Sequence, residues 1–386
     1  MSKISKMKLG DIGKISMCKR ILKSQTSPIG EVPFYKISTF GGKADCFITR
    51  KLFEEYKNKY SFPKKGEILI SAAGTLGKTV VYNGEEAFFQ DSNIVWVEND
   101  EKFVLNDFLY YYYQLKPWKK TTGSTIERLY NDNLRDINVV FPTEISEQKK
   151  IINVLKTIDN KIKNNNKINK KLEQMVKTIY DYWFLQYEFP NQEGKPYKSS
   201  GGKMVWNELL KKDIPSEWSC GKIGNLIKIG NGKDHKNLSC GNIPVYGSGG
   251  IIRHVNQGLY KGESILIPRK GTLNNIIYVN GEFWTVDTMF YSIPKTKNTA
   301  IYTYYSVKLY DFEKLNTGTG VPSMTSSIIS NLQVIIPRKD ILQEFDKVAK
   351  PIYNNISTNN KQNEELIKLR DYLLPLLMNG QIGFKN

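Results

Sequence analysis

At 386 residues the chain is long enough for two or three domains, each with its own core. Its 56 lysines and arginines outnumber its 38 aspartates and glutamates, leaving a formal charge of +18 and pointing to a polyanionic partner, most often nucleic acid. Four scattered cysteines with no C-x-x-C pair, and only two histidines (His235 and His254), argue against a zinc site or a disulfide framework. Met1 is followed by SKISKMK, which lacks the apolar core of a signal peptide. No apolar run approaches the roughly 18 residues of a membrane span. A cytoplasmic protein without membrane association is therefore expected.

Taken in order, Glu67–Ser71 and Thr79–Tyr82 read as strands around a glycine-rich turn, closed by Asn83-Gly84. Asn106 is expected to cap a short helix, Asp107–Lys116, that Pro117 ends. Its tyrosine run, Tyr110–Tyr113, reads as core packing in preference to base stacking. Ile137–Phe141 forms a last strand before Pro142.

From Ser146 to Trp183, alternating steps of four and three pick out Ile151, Leu155, Ile158, Ile162, Asn165, Asn169, Leu172, Val176, Ile179 and Trp183. That is a coiled-coil seam with two asparagines at its centre, and its lysine- and asparagine-rich flanks require a partner helix. Asn191–Gly202, rich in Gly, Pro and Ser, reads as a surface linker.

Beyond the linker the pattern returns. Lys8-Leu-Gly-Asp-Ile-Gly-Lys-Ile15 resembles Lys222-Ile-Gly-Asn-Leu-Ile-Lys-Ile229, and Lys65-Gly-Glu-Ile-Leu-Ile70 resembles Lys261-Gly-Glu-Ser-Ile-Leu-Ile267. Gly74 matches Gly271, Asn83-Gly84 matches Asn280-Gly281, and Pro142 matches Pro337, for the most part roughly 195 positions apart. Strands at Ser264–Ile267, Asn275–Val279 and Leu332–Ile336 are expected, with a helix near Thr299–Tyr310. The seam recurs as Phe345, Ala349, Ile352, Ile356, Asn359, Asn363, Leu366, Arg370, Leu373 and Leu377. A chance apolar stripe would not repeat both polar interruptions. If the helices pair antiparallel, Asn165 faces Asn363 and Asn169 faces Asn359, fixing register. The first seam extends roughly 50 Å at 1.5 Å per residue, against about 34–36 Å for one turn of DNA.

One motif points elsewhere. Ala72-Ala-Gly-Thr-Leu-Gly77-Lys78-Thr79 fits a loose phosphate loop, which needs a helix directly after its lysine. Thr79-Val-Val-Tyr82 follows instead, and the second copy, Pro268-Arg-Lys-Gly271-Thr-Leu-Asn-Asn275, lacks the Gly-Lys-Thr. A nucleotide hydrolase is thus the weaker alternative, beside a non-specific nucleic-acid clamp. No amino-methylation motif, Ser/His/Asp framework or nuclease carboxylate–lysine core is present.

The duplicated unit, Ser146-Glu-Gln-Lys-Lys-Ile151, Ile158-Asp159, the Asn164–Asn169 run, Trp183-Phe184, Glu188-Phe-Pro190 and Glu217-Trp218 together resemble the specificity subunit of type I restriction-modification systems. The resemblance covers essentially the whole chain. It implies an α+β fold: two pseudo-symmetric mixed α/β target-recognition domains joined by two long antiparallel coiled-coil helices. The expected division is a first recognition domain over 1–145, a central helix over 146–189 and a linker over 190–217. A second recognition domain over 218–338 and a C-terminal helix over 339–386 complete it.

The same resemblance implies that double-stranded DNA is read as a split target. Two methyltransferase subunits would dock on the helices and around Tyr182, Trp183 and Phe184, and restriction (translocase) subunits would join them. The chain itself would hold no catalytic centre, cofactor or metal; S-adenosylmethionine, ATP and Mg belong to those partners. Arg370, standing where the central seam has Val176, is expected to loosen the pairing or to serve a partner. Within each domain, Gly74, Thr75, Lys78, Arg269, Lys270 and Thr272 are candidates for phosphate contact. Ser124, Thr125, Arg128, Thr319, Ser323 and Thr325, on polar loops before the last strand, are candidates to face bases, with Arg128 suited to guanine.

Overall fold

A computed structural model describes residues 3–118, 128–316, 318, 320 and 322–384. The chain divides into two compact units, Met1–Asn165 with Lys361–Asn386, and Asn166–Asn360. A central helix, Ile145–Tyr180, and a C-terminal helix, Lys339–Met378, each contribute one part to either unit.

In the first unit a four-stranded antiparallel sheet runs in the order Gly13–Met17, Ile94–Asn99, Ile68–Ser71, Thr79–Val81. Alternation along the strands divides their side chains between two cores. Val95, Val97, Ile68 and Ile70 pack with Phe108, Phe141 and Leu155. Trp96 and Leu69 point the other way, among Phe34, Phe53 and Phe88. Burial on both faces explains the apolar runs of the two inner strands, Ile68–Ser71 and Ile94–Asn99, and each enclosed aromatic side chain contributes about 1.5–3 kcal/mol. Tyr111, Tyr112 and Tyr113 are buried, and the Tyr112 hydroxyl donates to the Asn138 carbonyl, as core packing demands.

The second unit carries a six-stranded sheet in the order Ile227–Asn231, Met289–Pro294, Tyr260–Pro268, Ile277–Thr285, Cys240–Gly247, Gly250–Val255. Ile265, Ile267 and Phe290 face the helix Ala300–Val307 and the long helices, while Leu266 and Met289 face a smaller cluster with Phe283. Both units close on themselves in the same way. Ile4–Lys8 pairs with Asn138–Pro142, and Ser219–Lys222 with Gln333–Ile336, both antiparallel. Leu9 donates to the Ile137 carbonyl and Ile223 to that of Leu332, each at 2.8 Å.

Within each unit the long helices run antiparallel. In the first, Asp159 meets Arg370 and Asn165 meets Asn363. In the second, Asn169 meets Asn359, and Tyr180 packs on Phe345. The seam positions are buried or half-buried throughout. Gln148 pins the start of the central helix: fully buried, it accepts from Leu105 N–H and donates to the carbonyls of Phe103 and Pro142.

Four expectations need correction. Asn106 does not cap the helix Asn106–Gln114; Leu105 occupies the cap, and the Asn106 side chain accepts from Asn99 Nδ2. The strand expected over Asn275–Val279 instead spans Ile277–Thr285, running on through Asn280-Gly281, where Gly281 pairs with Gly262. Arg370 does not stand unpaired in the seam: it is bonded across it to Asp159, and to its neighbour Asp371. The linker also holds a hairpin, Met204–Asn207 with Lys212–Pro215, and Tyr197 stacks on Phe189 at 4.6 Å.

Candidate nucleic-acid interface

The glycine-rich turn of the first unit is a hairpin loop. Ser71 N–H donates to the Lys78 carbonyl at 2.9 Å, and Lys78 N–H donates to Ser71 Oγ at 2.8 Å. Gly74 and Gly77 have φ of +69° and +72°, which favours glycine. A Cβ on Gly77 would stand 2.0 Å from Trp118 Nε1, so this glycine makes room for an indole. With the strand Thr79–Val81 directly after it, the loop lacks the helix that a nucleotide-binding loop uses to face phosphate. The Lys78 ammonium donates to the Phe40 carbonyl. Gly74, Thr75 and Lys78 are exposed.

Three hydrogen bonds draw other segments to this turn. Leu129 N–H donates to the Ala72 carbonyl at 2.9 Å, and Ala72 N–H donates to that of Asn93 at 2.7 Å. Arg128 Nη2 donates to the Ser92 carbonyl at 2.9 Å, which ties its guanidinium to this turn. Gly74, Thr75, Lys78 and Arg128 are thereby gathered with Ser92 and Asn93. Sequence reading passed over those last two, although Asp91-Ser-Asn93 before an apolar run is a turn signal. Ser124 and Thr125 lie outside the described residues.

The second unit repeats the device. Met324 N–H donates to the Arg269 carbonyl at 2.8 Å, Gly271 N–H to that of Pro322 at 3.1 Å, and Lys270 bridges to Ser323. In the repeat, Met324 and Arg269 stand for Leu129 and Ala72, so one backbone bond recurs in both copies. It sets Arg269, Lys270 and Thr272 beside Ser323 and Thr325. Lys270 and Thr272 are exposed, whereas the Arg269 guanidinium lies over the Phe290 ring, 6.0 Å from its centroid. Ser323 N–H donates to Asn316 Oδ1 at 2.7 Å. Thr325 caps the helix Ser326–Asn331 by accepting from Ile328 N–H at 3.2 Å, which is a folding role. Thr319 lies outside the described residues.

On the paired helices, Asn165 Nδ2 donates to Asn363 Oδ1 and to Gln362 Oε1, both at 2.9 Å. Asn359 Nδ2 donates to Asn169 Oδ1 at 2.8 Å, and Asn169 Nδ2 to Asn360 Oδ1 at 2.8 Å. Beyond the central helix a π-helical turn, Asp181–Leu185, carries the residues expected at a partner surface. Tyr182 is 40% exposed and Trp183 is half-buried against Phe345. Phe184 is only 2% exposed, enclosed by Trp218, Tyr302 and Phe345, so it presents nothing to a partner.

Among the described residues no three His, Cys, Asp or Glu side chains converge as metal ligands, and no helix is long and apolar enough to cross a membrane. Each unit by itself carries a basic, polar set of turns suited to phosphate and base edges.

The profile of the type I restriction modification DNA specificity domain matches residues 1–174 and 215–368. The MjaIX specificity subunit of Methanocaldococcus jannaschii, a type I restriction enzyme component, is 26% identical, with 96% of this chain and 95% of that one covered. S.HindORF215P of Haemophilus influenzae, named as a type I restriction enzyme specificity subunit, is 55% identical over 149 residues, spanning 39% of this chain and 38% of that protein. In fold, the crystal structure of the S subunit from M. genitalium superimposes with a TM-score of 0.60 at 17% identity, covering 98% of this chain and 96% of that one. With the specificity domain matched in both copies of its repeat, the chain belongs to the family of type I restriction-modification DNA specificity subunits.

Proposed function

We propose that this chain is the sequence-reading subunit of a type I restriction-modification complex, each unit reading one half of a split double-stranded DNA target. The observation that carries the reading is the backbone bond recurring in both copies, Leu129 to Ala72 and Met324 to Arg269, which builds a similar basic turn cluster twice. As a specificity subunit it is the non-catalytic DNA-recognition component. Two methyltransferase subunits dock on the paired helices and near Tyr182 and Trp183, and restriction subunits join them. S-adenosylmethionine, ATP and Mg act in those partners, in the cytoplasm. The net charge of +18 supplies the sequence-independent part of DNA affinity.

Footprinting of the assembled methyltransferase tests this. Two protected patches with an indifferent spacer are expected, and one continuous protected site would refute it. Inserting four residues, about one helical turn, into both helices at the asparagines should change the tolerated spacer and leave the half-sites unaltered. A non-specific clamp would instead bind random and target duplex equally at fixed salt.

A further inference from the structure

The first unit contains a second basic feature, which the candidate residues above do not include. A cleft of about 430 Å³ is floored by Phe34 and walled by Arg20, Lys23, Lys36, Asp91 and Asn93. Lys36 is neutralised by Asp45 at 2.8 Å, leaving Arg20 and Lys23 against Asp91. Arg20 is exceptional among the arginines. The others meet carboxylates (Arg50, Arg135, Arg338, Arg370), carbonyls (Arg128, Arg253) or a ring (Arg269). Among the described residues Arg20 has no partner, and the pocket it lines is open to an anion.

The cleft is also joined to the turn cluster. Its end wall, Asp91–Asn93, is the segment whose carbonyls hold Arg128 and Ala72. A ligand lying in the cleft and reaching Gly74, Thr75 and Arg128 must therefore be an extended polyanion. Its recessed, basic form suits a protruding sugar-phosphate strand better than base edges, which sit at the bottom of a groove.

We propose that the Arg20–Lys23 cleft seats the phosphodiester backbone flanking the half-site read by the first unit. The proposal rests on the DNA-reading function above and adds where the strand runs.

The test uses the full-length chain assembled with its methyltransferase partners, titrated with target and random duplexes across a salt series. Arg20→Ala and Lys23→Ala should each weaken binding to both duplexes by a similar factor, about 3- to 10-fold, and lower the salt slope by about 1. Arg20→Lys should keep the slope, and Asp91→Asn should strengthen binding. The methylated sequence should not change. Unchanged affinity and slope in both alanine variants, with wild-type thermal melting, would overturn the proposal. So would a relaxed base preference at an unchanged slope, since that marks base reading. A wild-type complex that does not prefer target over random duplex would sink the functional reading instead, leaving the slope to judge the cleft.

Discussion

Arg370 on the C-terminal helix donates from Nη1 to Asp159 Oδ1 on the central helix at 3.0 Å, and the Tyr111 hydroxyl donates to the other oxygen of the same carboxylate at 2.8 Å. In the other copy of the repeat these positions are Val176, Tyr353 and Tyr305, where the Tyr305 and Tyr353 hydroxyls lie 2.9 Å apart. An ion pair at one end of the seam thus replaces an apolar and phenolic contact at the other. Burial alone would lower the Arg370 pKa, but its bonds to Asp371 and Asp159 outweigh it and hold the value above the ordinary one.

Because both side chains are about a third exposed, their coupling is modest, about 1 kcal/mol. Arg370→Ala, Asp159→Ala and the double variant, compared by urea unfolding, should show a double loss smaller than the sum of the single losses. Strict additivity would mean that the pair contributes nothing.

The seam asparagines should behave as register devices. Asn165→Leu alone removes two hydrogen bonds from a buried site and should cost about 1–3 kcal/mol. Replacing Asn165, Asn169, Asn359 and Asn363 together by leucine should raise the melting temperature while broadening the range of tolerated spacers. Thermal melting and methylation mapping on a spacer series read the two effects separately.

Gly77→Ala should destabilise the first unit by about 2 kcal/mol or more, since the new methyl meets the Trp118 indole at a φ of +72°. Pairing it with Trp118→Ala should recover the steric part of that loss. If Gly77→Ala melted like wild type, the hairpin account of this turn would fail. ATP should not raise the melting temperature of the wild-type chain.

Asp346 in the second unit gives a dependence on pH. It is 5% exposed, and that burial raises its pKa, with Lys350 (3.8 Å away) lowering it and Glu263 raising it. Among the described residues its Oδ1 has no hydrogen-bond partner. A carboxyl whose pKa is raised by folding binds its proton more tightly in the native state. Its contribution is therefore favourable at low pH and is lost as pH rises from the ordinary value of about 3.9 through the folded one. Asp346→Asn should accordingly be more stable than wild type near pH 7, with the gap closing below about pH 4. Urea midpoints across that range measure it, and a gap independent of pH would contradict the assignment.

What sequence made legible was what periodicity controls. The two seams, their asparagines and the strands around the Gly74 turn follow from spacing and from β-branched composition. Partners distant in the chain were not legible. Asp159 looks like an ordinary solvated helix residue until Arg370, 211 positions later, is placed beside it. Phe184 reads as a surface aromatic because Trp218, Tyr302 and Phe345, which enclose it, come from three separate segments. The Arg20 cleft was hidden for the same reason: its walls come from stretches near residues 20, 36 and 92 that only the sheet brings together.

The exchanged pair also makes the two helices chemically unlike. Asp159 and Val176 lie on the central helix, Tyr353 and Arg370 on the C-terminal one. Aligned on its own asparagines, a central helix meeting a second central helix would set Asp159 against Val176. Two C-terminal helices would set Arg370 against Tyr353. Either pairing strands a charge beside an apolar or aromatic side chain, whereas the mixed pairing satisfies both ends. The duplication that created matching halves is thus accompanied by a mark of handedness, one that tells each helix to choose its counterpart over its twin.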